Sequence, residues 1–270
     1  MTRIVGRTDP GARGGPNQDA IGWDEARQFA LVADGVGGYS GGEVASRLVK
    51  ETMLDCAAAG NLDAAVLRAH ESIVQAAQKD ASLAMMASTV ISMQITERRC
   101  AVVWVGDSRG YLWRENALRP LTRDHSVIEI LRDADHLSET AMRSHPLRHE
   151  VLQTLGRNQP AISSEIAPLR RGDWLLLCSD GLSGELRDGE IADVLRQNRS
   201  LEGAADALIA AALASGGNDN VSVVLMDYDG PSSPEFSWWR GDRAVLYASA
   251  LGGVALALAV AIAFWFKDRH

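Results

Sequence analysis

Three apolar runs in this 270-residue chain stop at an aspartate followed by a turn-forming residue, and a fourth starts just after one. FALVAD ends at Asp34-Gly35, VVWVGD at Asp107-Ser108 and LLLCSD at Asp180-Gly181, while Asp219-Asn220 immediately precedes VSVVLM. Apolar runs this short read as strands. In an antiparallel sheet the end of one strand lies beside the start of its neighbour, so these aspartates can gather at one sheet edge. The Gly, Ser or Asn after each lets the backbone bend away. Carboxylates crowded in this way repel one another unless a cation sits among them. An all-oxygen set, with no His or Cys beside these motifs, suits a hard ion such as Mg²⁺ or Mn²⁺ rather than Zn²⁺. A single Asp in a turn means little; four, each abutting an apolar strand, point to a metal site.

The rest of the soluble part alternates helix pairs with strand runs. Ala45, Leu48, Val49, Met53 and Cys56 recur at helical spacing, as do Leu62, Ala65, Val66, Ala69, Ile73 and Ala76, which predicts adjacent amphipathic helices over 41–59 and 62–80. Ile91, Met93 and Ile95 alternate with polar residues as in a half-buried strand, and AVVWV (101–105) and YLWRE follow as further strands. Ser126 with Glu129 three residues on has the form of a capping box, opening a charge-rich helical stretch to about 156. DWLLLCSD (173–180) is a strand, 188–214 holds two helices, and VSVVLM (221–226) is the last strand. This order predicts a layered α+β domain rather than alternating βαβ units.

Composition narrows the function. The chain carries 27 basic and 35 acidic residues, a net charge of −8, which argues against a nucleic-acid surface. Cys56, Cys100 and Cys178 are odd in number and set in apolar runs, as reduced core cysteines are. Residues 244–266 contain no charge: AVLYASALGGVALALAVAIAFWF is 23 residues long, about 34 Å as a helix and enough to span a bilayer. Arg240 and Arg243 precede it, Lys267 and Arg269 follow, and Trp238, Trp239 and Trp265 stand at its edges, where interfacial rings concentrate. The expected organisation is a domain over 1–229, a linker over 230–243, a transmembrane helix over 244–266 and a short tail over 267–270. The opening MTRIVGRTDPGARGG has no apolar signal region, so the domain is expected on the cytoplasmic face of a single-pass protein of the cell membrane.

The segments PNQDA (16–20), ADGVGGYSGGEVAS (33–46), GDSRGYLW (106–113), LTRDHS (121–126), HPLRHEVLQTLG (145–156), CSDGL (178–182) and GGNDNVSVV (216–224) follow one another in a fixed order. Together they resemble the metal-dependent protein Ser/Thr phosphatases of the PPM, or type-2C, family, bacterial branch. The resemblance spans roughly residues 3–228. It implies a four-layer αββα sandwich, two antiparallel sheets flanked by helix pairs, with the metal site at one end. It also implies two Mn²⁺ or Mg²⁺ ions. Asp34 would bridge them with the Gly35 carbonyl on the second, Asp180 and Asp219 would bind the first, and Asp19 would reach the metals through water. Asp107 would hold a third ion near Asp180. In two-metal catalysis the ions activate a water and offset charge developing on the phosphoryl group. The implied substrates are phosphorylated proteins, and the implied partners a membrane-proximal Ser/Thr kinase or its substrates.

This sequence departs from the family pattern twice. The Arg expected five residues before Asp19 is Gly14, leaving Arg13 as the phosphate clamp if Gly11, Gly14 and Gly15 bulge. The middle acidic residue of the N-E-D motif is Gln18, which lacks charge but can hold a metal-bound water. Tyr39 replaces a His common in bacterial relatives, so no general acid is assigned. These departures motivate a rival reading, a pseudophosphatase that binds phosphoproteins without turnover. Other patterns fall away. Gly106-Asp107-Ser108-Arg109-Gly110 satisfies G-x-S-x-G, but a nucleophile elbow leads into a helix and YLWRE reads as a strand. DGVGGYSGG lacks the third glycine of a dinucleotide loop, and no P-loop is present. His125 reads as structural, and His136, His145 and His149 as surface or substrate-contacting residues.

Overall fold

A computed structural model of the chain describes residues 2–231 apart from 37–40, 57–59, 136, 139–140 and 143–144. The apolar runs form two antiparallel sheets. One has the order β1 (Ile4–Asp9), β11 (Val221–Tyr228), β10 (Asp173–Cys178), β7 (Arg109–Arg114) and β8 (Ala117–Pro120). The other runs β2 (Asp19–Asp24), β3 (Phe29–Val36), β5 (Val90–Thr96), β6 (Arg99–Val105) and β9 (Ser163–Pro168), with the two-residue β4 (Ala87–Ser88) paired to the end of β3.

The runs are apolar throughout because each sheet is covered on both faces. Along β11, Val224, Met226 and Tyr228 point between the sheets, while Val221, Val223 and Leu225 point outward into a second apolar layer. Likewise Ala30 and Val32 of β3 face the other sheet, and Phe29, Leu31 and Ala33 face helices. Those helices are α1 (Gly42–Cys56) and α2 (Leu62–Lys79), which bury Val49, Met53, Val66 and Ile73 at the predicted helical spacing. On the opposite outer face, α5 (Asp188–Gln197) and α6 (Leu201–Ser215) bury Ile191, Leu195, Ala204 and Leu208 against Leu176 and Val223. Three stacked apolar layers therefore hold the expected αββα order together.

The registers bring strand ends to one pole. Val32 pairs with Ile91, so β3 ends where β5 begins, and Val90 pairs with Val105, where β6 ends. Cys178 lies opposite both Arg109 and Val223, which sets the end of β10 beside the starts of β7 and β11. All four aspartate motifs belong to this pole.

Two local expectations fail. α3 (Val127–Asp135) begins where predicted, but the capping box does not form. Ser126 Oγ is buried without a hydrogen-bond partner, and Glu129 is taken by the guanidinium groups of Arg123 (3.0 Å) and Arg132 (2.6 Å). A charged donor outcompetes a backbone N–H for a carboxylate. Nor does a helix run on to 156. Turns occupy 146–149, and 150–156 is an extended strap. Leu152 N donates to His125 O at 2.7 Å, and Leu155 exchanges both backbone hydrogen bonds with Ser88. Pro146 cannot donate within a helix, and open strand positions at Ser88 and Ser126 take the segment instead.

The described residues form one compact unit. Among the described residues no helix is long and apolar enough to cross a membrane. The predicted span 244–266, nearly all of the linker, Tyr39 and His136 lie outside the described residues.

Leu177, fully buried between the sheets, tests the central layer. Leu177→Ala is expected to lower unfolding free energy by about 2–5 kcal/mol, read as a lower urea midpoint at unchanged slope.

Candidate active site

Asp34 lies two residues before the end of β3, which runs on to Val36 rather than stopping at the aspartate. Its neighbour across the ladder is Asp19, the first residue of β2. Asp180 follows β10 as the first residue of a single helical turn, α4 (Asp180–Ser183). Asp107 occupies the turn between β6 and β7, and Asp219 stands two residues before β11.

Two glycines allow this convergence. Gly35 N donates to Gln18 O at 3.0 Å, and a Cβ on Gly35 would lie 2.1 Å from the Gly42 carbonyl oxygen. A Cβ on Gly181 would lie 2.0 Å from the Asn220 carbonyl oxygen. No side chain fits either approach, so the start of α1 packs directly on Asp34's strand and the start of β11 directly on Asp180's turn.

The carboxylates lie within one another's fields. Burial, then Asp19, Asp180, Asp107 and Asp219, hold the Asp34 carboxyl well above the ordinary carboxylate range. Burial pushes Asp19 up to about 7 against the hydrogen bonds of Ser222 and Ser179, with Asp180 and Asp219 adding to the rise. Burial and Asp219 raise Asp180 to about 6, opposed by a hydrogen bond with Asp34 and by His149. Asp107 is raised well above its usual value by burial, Asp180 and Asp124.

Among the described residues no three His, Cys, Asp or Glu side chains are drawn up at metal-ligand spacing. The donor set nevertheless fits a hard divalent cation. Every group is an oxygen, the negative charges lack a counter-ion among themselves, and Asp180 Oδ1 is buried with no hydrogen-bond donor. An orphaned anionic oxygen of that kind needs a partner.

Supporting residues that the sequence reading did not single out hold the aspartates in place. Ser179 Oγ donates to Asp19 Oδ2 at 2.7 Å, and Asp34 N donates to Thr89 Oγ1 at 3.1 Å. Thr89 Oγ1 in turn lies 2.8 Å from Ser108 Oγ. Asn220 accepts from Gln18 N (2.7 Å) and donates to Pro10 O (2.9 Å), tying the loop before β2 to the loop before β11. Arg109, two residues after Asp107, grips Asp124 with Nε at 2.9 Å and Nη2 at 2.7 Å, which fixes the Asp107 turn. The signal for each was present, since these residues sit inside the quoted motifs or beside an apolar run, but only contacts distant in sequence reveal the pairing.

The remaining candidates sort clearly. Arg13 is exposed on the β1–β2 loop, where Gly11, Gly14 and Gly15 adopt φ of +76°, +71° and +121°. Arg13 Nη2 donates to Asn218 Oδ1 at 3.1 Å, next to Asp219. Gln18 Nε2 approaches Glu43 Oε2 at 3.5 Å, at the start of α1. His125 is structural: Nδ1 accepts from Gly106 N (3.2 Å), Nε2 meets Ser163 Oγ (2.9 Å), and burial lowers its pKa to about 4. His145 accepts from Leu147 N within a surface turn. Ser108 is buried and leads into β7, not a helix, which removes the nucleophile-elbow reading.

Known proteins share this fold. The sequence profile described as "Protein phosphatase 2C" matches residues 11–218. The serine/threonine phosphatase stp of Listeria welshimeri is 35% identical over 240 residues, covering 82% of this chain and 94% of its own. The solved serine/threonine phosphatase PstP/Ppp of Mycobacterium tuberculosis superposes with a TM-score of 0.79 at 32% identity, over 84% of this chain and 99% of that one. A structure of the PstP catalytic domain in complex with two manganese ions gives 0.76 at 31% identity, over 84% and 97%.

The raised carboxyls predict a pH dependence. Asp19 and Asp180 bind protons more tightly in the folded chain than an ordinary aspartate does at 3.8. Their contribution to stability is complete below about 4 and is lost as pH rises through about 6 to 7. In EDTA, Asp180→Asn should melt with a shallower decline between pH 5 and 8 than the unaltered chain. Added Mn²⁺ should raise the melting temperature more at pH 8 than at pH 5, because it competes with protons. Equal slopes for the two chains would refute the shared field.

Proposed function

Because the chain belongs to the protein phosphatase 2C family and is a serine/threonine phosphatase of that type, we propose that it hydrolyses phosphoserine and phosphothreonine on proteins with two divalent cations held by its polar carboxylate cluster, while a C-terminal helix ties it to a membrane. The observation that carries the metal reading is the convergence of Asp19, Asp34, Asp107, Asp180 and Asp219 at one pole, with Asp180 Oδ1 buried and unpartnered. The manganese pair in the related PstP domain supports it.

Asp34 and the Gly35 carbonyl, with Asp180 and Asp219, would hold the two ions, Mn²⁺ or Mg²⁺; Asp19 would hold water beside them, and Asp107 with Asp180 a third ion. When bound, such a pair supplies Lewis-acid charge neutralisation and a nucleophilic water near neutral pH. The chain's own residues do the rest. Arg13 has five N–H donors, one of them on Asn218, and would grip the non-reacting phosphoryl oxygens with the others. Ser179 fixes the Asp19 carboxylate as an acceptor for a water proton. Thr89, bonded to both Asp34 N and Ser108, keeps the Asp34 carboxylate from swinging with its strand end. No protein nucleophile is required. The non-hydrolysing alternative raised by Gln18 finds no support in relatives that are phosphatases by name.

The membrane reading rests on the sequence of 244–266 and its flanking Arg, Lys and Trp residues. It confines the enzyme, on the cytoplasmic side, to membrane-proximal phosphoproteins, with a Ser/Thr kinase or its substrates as the natural partner.

With Mn²⁺ the full chain should release phosphate from a phosphothreonine peptide, and EDTA or Asp34→Asn should reduce kcat more than about a hundredfold; undiminished turnover in EDTA would exclude the metal role. Removing 232–270 should leave peptide turnover intact and move the protein from the membrane to the soluble fraction. A truncated chain that still sediments with membranes would refute the anchor.

A further inference from the structure

A cavity of about 290 Å³ is bordered by Val36 and by His149, whose field reaches Asp180, and its chemistry bears on which phosphate esters the enzyme accepts. One wall is Val36, two residues beyond Asp34; the other is the strap, with Thr154, and the residues that follow it, among them Asn158 and Gln159. The strap is fixed relative to the site. Leu155 exchanges backbone hydrogen bonds with Ser88, and Ser88 is the ladder partner of Gly35. Gly156 N donates to His70 Nδ1 at 3.1 Å, and Arg157 donates to Met85 O at 3.3 Å. The cavity therefore keeps a set distance from Gly35.

Its lining is polar without a dominant charge, since Glu150 and Arg157 both border it. The side chains of Thr154, Asn158 and Gln159 make no hydrogen bond among the described residues. An amide offers two donors and an acceptor and a hydroxyl offers one donor and two acceptors, the complement of a peptide's N–H and C=O groups. Arg13 stands on the Asp219 side of the cluster and the cavity on the Gly35 side. A phosphoryl group over the aspartates would leave the neighbouring residues of an extended substrate, about 3.3 Å apart, free to run toward the cavity. A small phosphate ester has nothing to put there.

We propose that this cavity is a subsite for the polypeptide backbone flanking the phosphorylated residue, so that the enzyme selects proteins over small phosphate esters while reading little of their sequence. The proposal rests on the phosphatase reading and adds to it the group that recognises the substrate as a polypeptide. Asn158 and Gln159 are the gripping residues most open to test, being exposed and free of described hydrogen bonds that the fold would miss.

The test is steady-state kinetics of the full chain and of the Asn158→Ala/Gln159→Ala double variant with Mn²⁺, on a phosphothreonine peptide and on p-nitrophenyl phosphate. The expected result is a KM about tenfold higher for the peptide, the worth of one or two neutral hydrogen bonds, with kcat and the p-nitrophenyl phosphate constants unchanged. A peptide N-methylated at the flanking amides should lose a similar factor on the unaltered chain and nothing further on the variant. Equal losses on both substrates would mean a general disturbance of the site, and an unchanged peptide KM would mean that the cavity takes no backbone; either overturns the subsite. Turnover of p-nitrophenyl phosphate by the unaltered chain reports separately on the phosphatase itself.

Discussion

Mutual repulsion among Asp19, Asp34, Asp107, Asp180 and Asp219 is the constraint on which the rest of this structure depends. Asp19, Asp107, Asp180 and Asp219 all raise the proton affinity of Asp34, and most of the cluster is largely withdrawn from water. A cluster of that kind forms only where a rigid frame holds its members together against their charge. The frame is the pair of sheets, whose strands are apolar on both faces and packed into three layers, so the strand ends cannot drift apart without exposing core. Burial of apolar surface over the whole domain thus offsets a local electrostatic cost at one pole, and a divalent cation is the natural relief for that cost.

The close approaches at Gly35 and Gly181 belong to the same logic. They let backbone pass against backbone, which brings an element from each neighbouring segment to the cluster without inserting side chains between carboxylates. Around this centre sits a ring of neutral or paired groups, namely Ser179, Thr89, Ser108, Asn220 and the Arg109–Asp124 pair, that orient the aspartates and add no unpaired charge. His125, kept neutral by burial and bonded at both nitrogens, continues the ring without adding a proton-transfer group. The strap from 150 to 156 closes one side and carries the polar cavity where a substrate chain can lie.

Much of this was legible in sequence. Short continuous apolar runs located β3, β6, β10 and β11, a period-two alternation located β5, and a period-3.6 pattern located the first helix pair, because burial on regular elements leaves a regular trace. The four Asp-turn junctions were visible because each interrupts an apolar run with a residue that burial alone would not select. The failures have equally local causes. Ser126 and Glu129 have capping-box spacing, but Arg123 and Arg132 compete for Glu129 and win by charge. The charge-rich stretch after Asp135 has helical composition, yet Pro146 and the open backbone positions at Ser88 draw its end into an extended strap.

The sequence by itself determined the central strands and most of the helices, that the aspartates stand at or near strand ends, and that an uncharged run long enough for a membrane lies over 244–266. Those properties depend on near neighbours, through periodicity, turn chemistry and transfer of side chains out of water. Only the tertiary structure decided which carboxylates share a field, that Arg13 leans on Asn218 beside Asp219, and that Ser179 rather than a nearer residue holds Asp19. Those pairings join residues up to 205 positions apart along the chain. They follow from the register of antiparallel strands, and a register is chosen by the packing of whole faces against one another, not by any one segment.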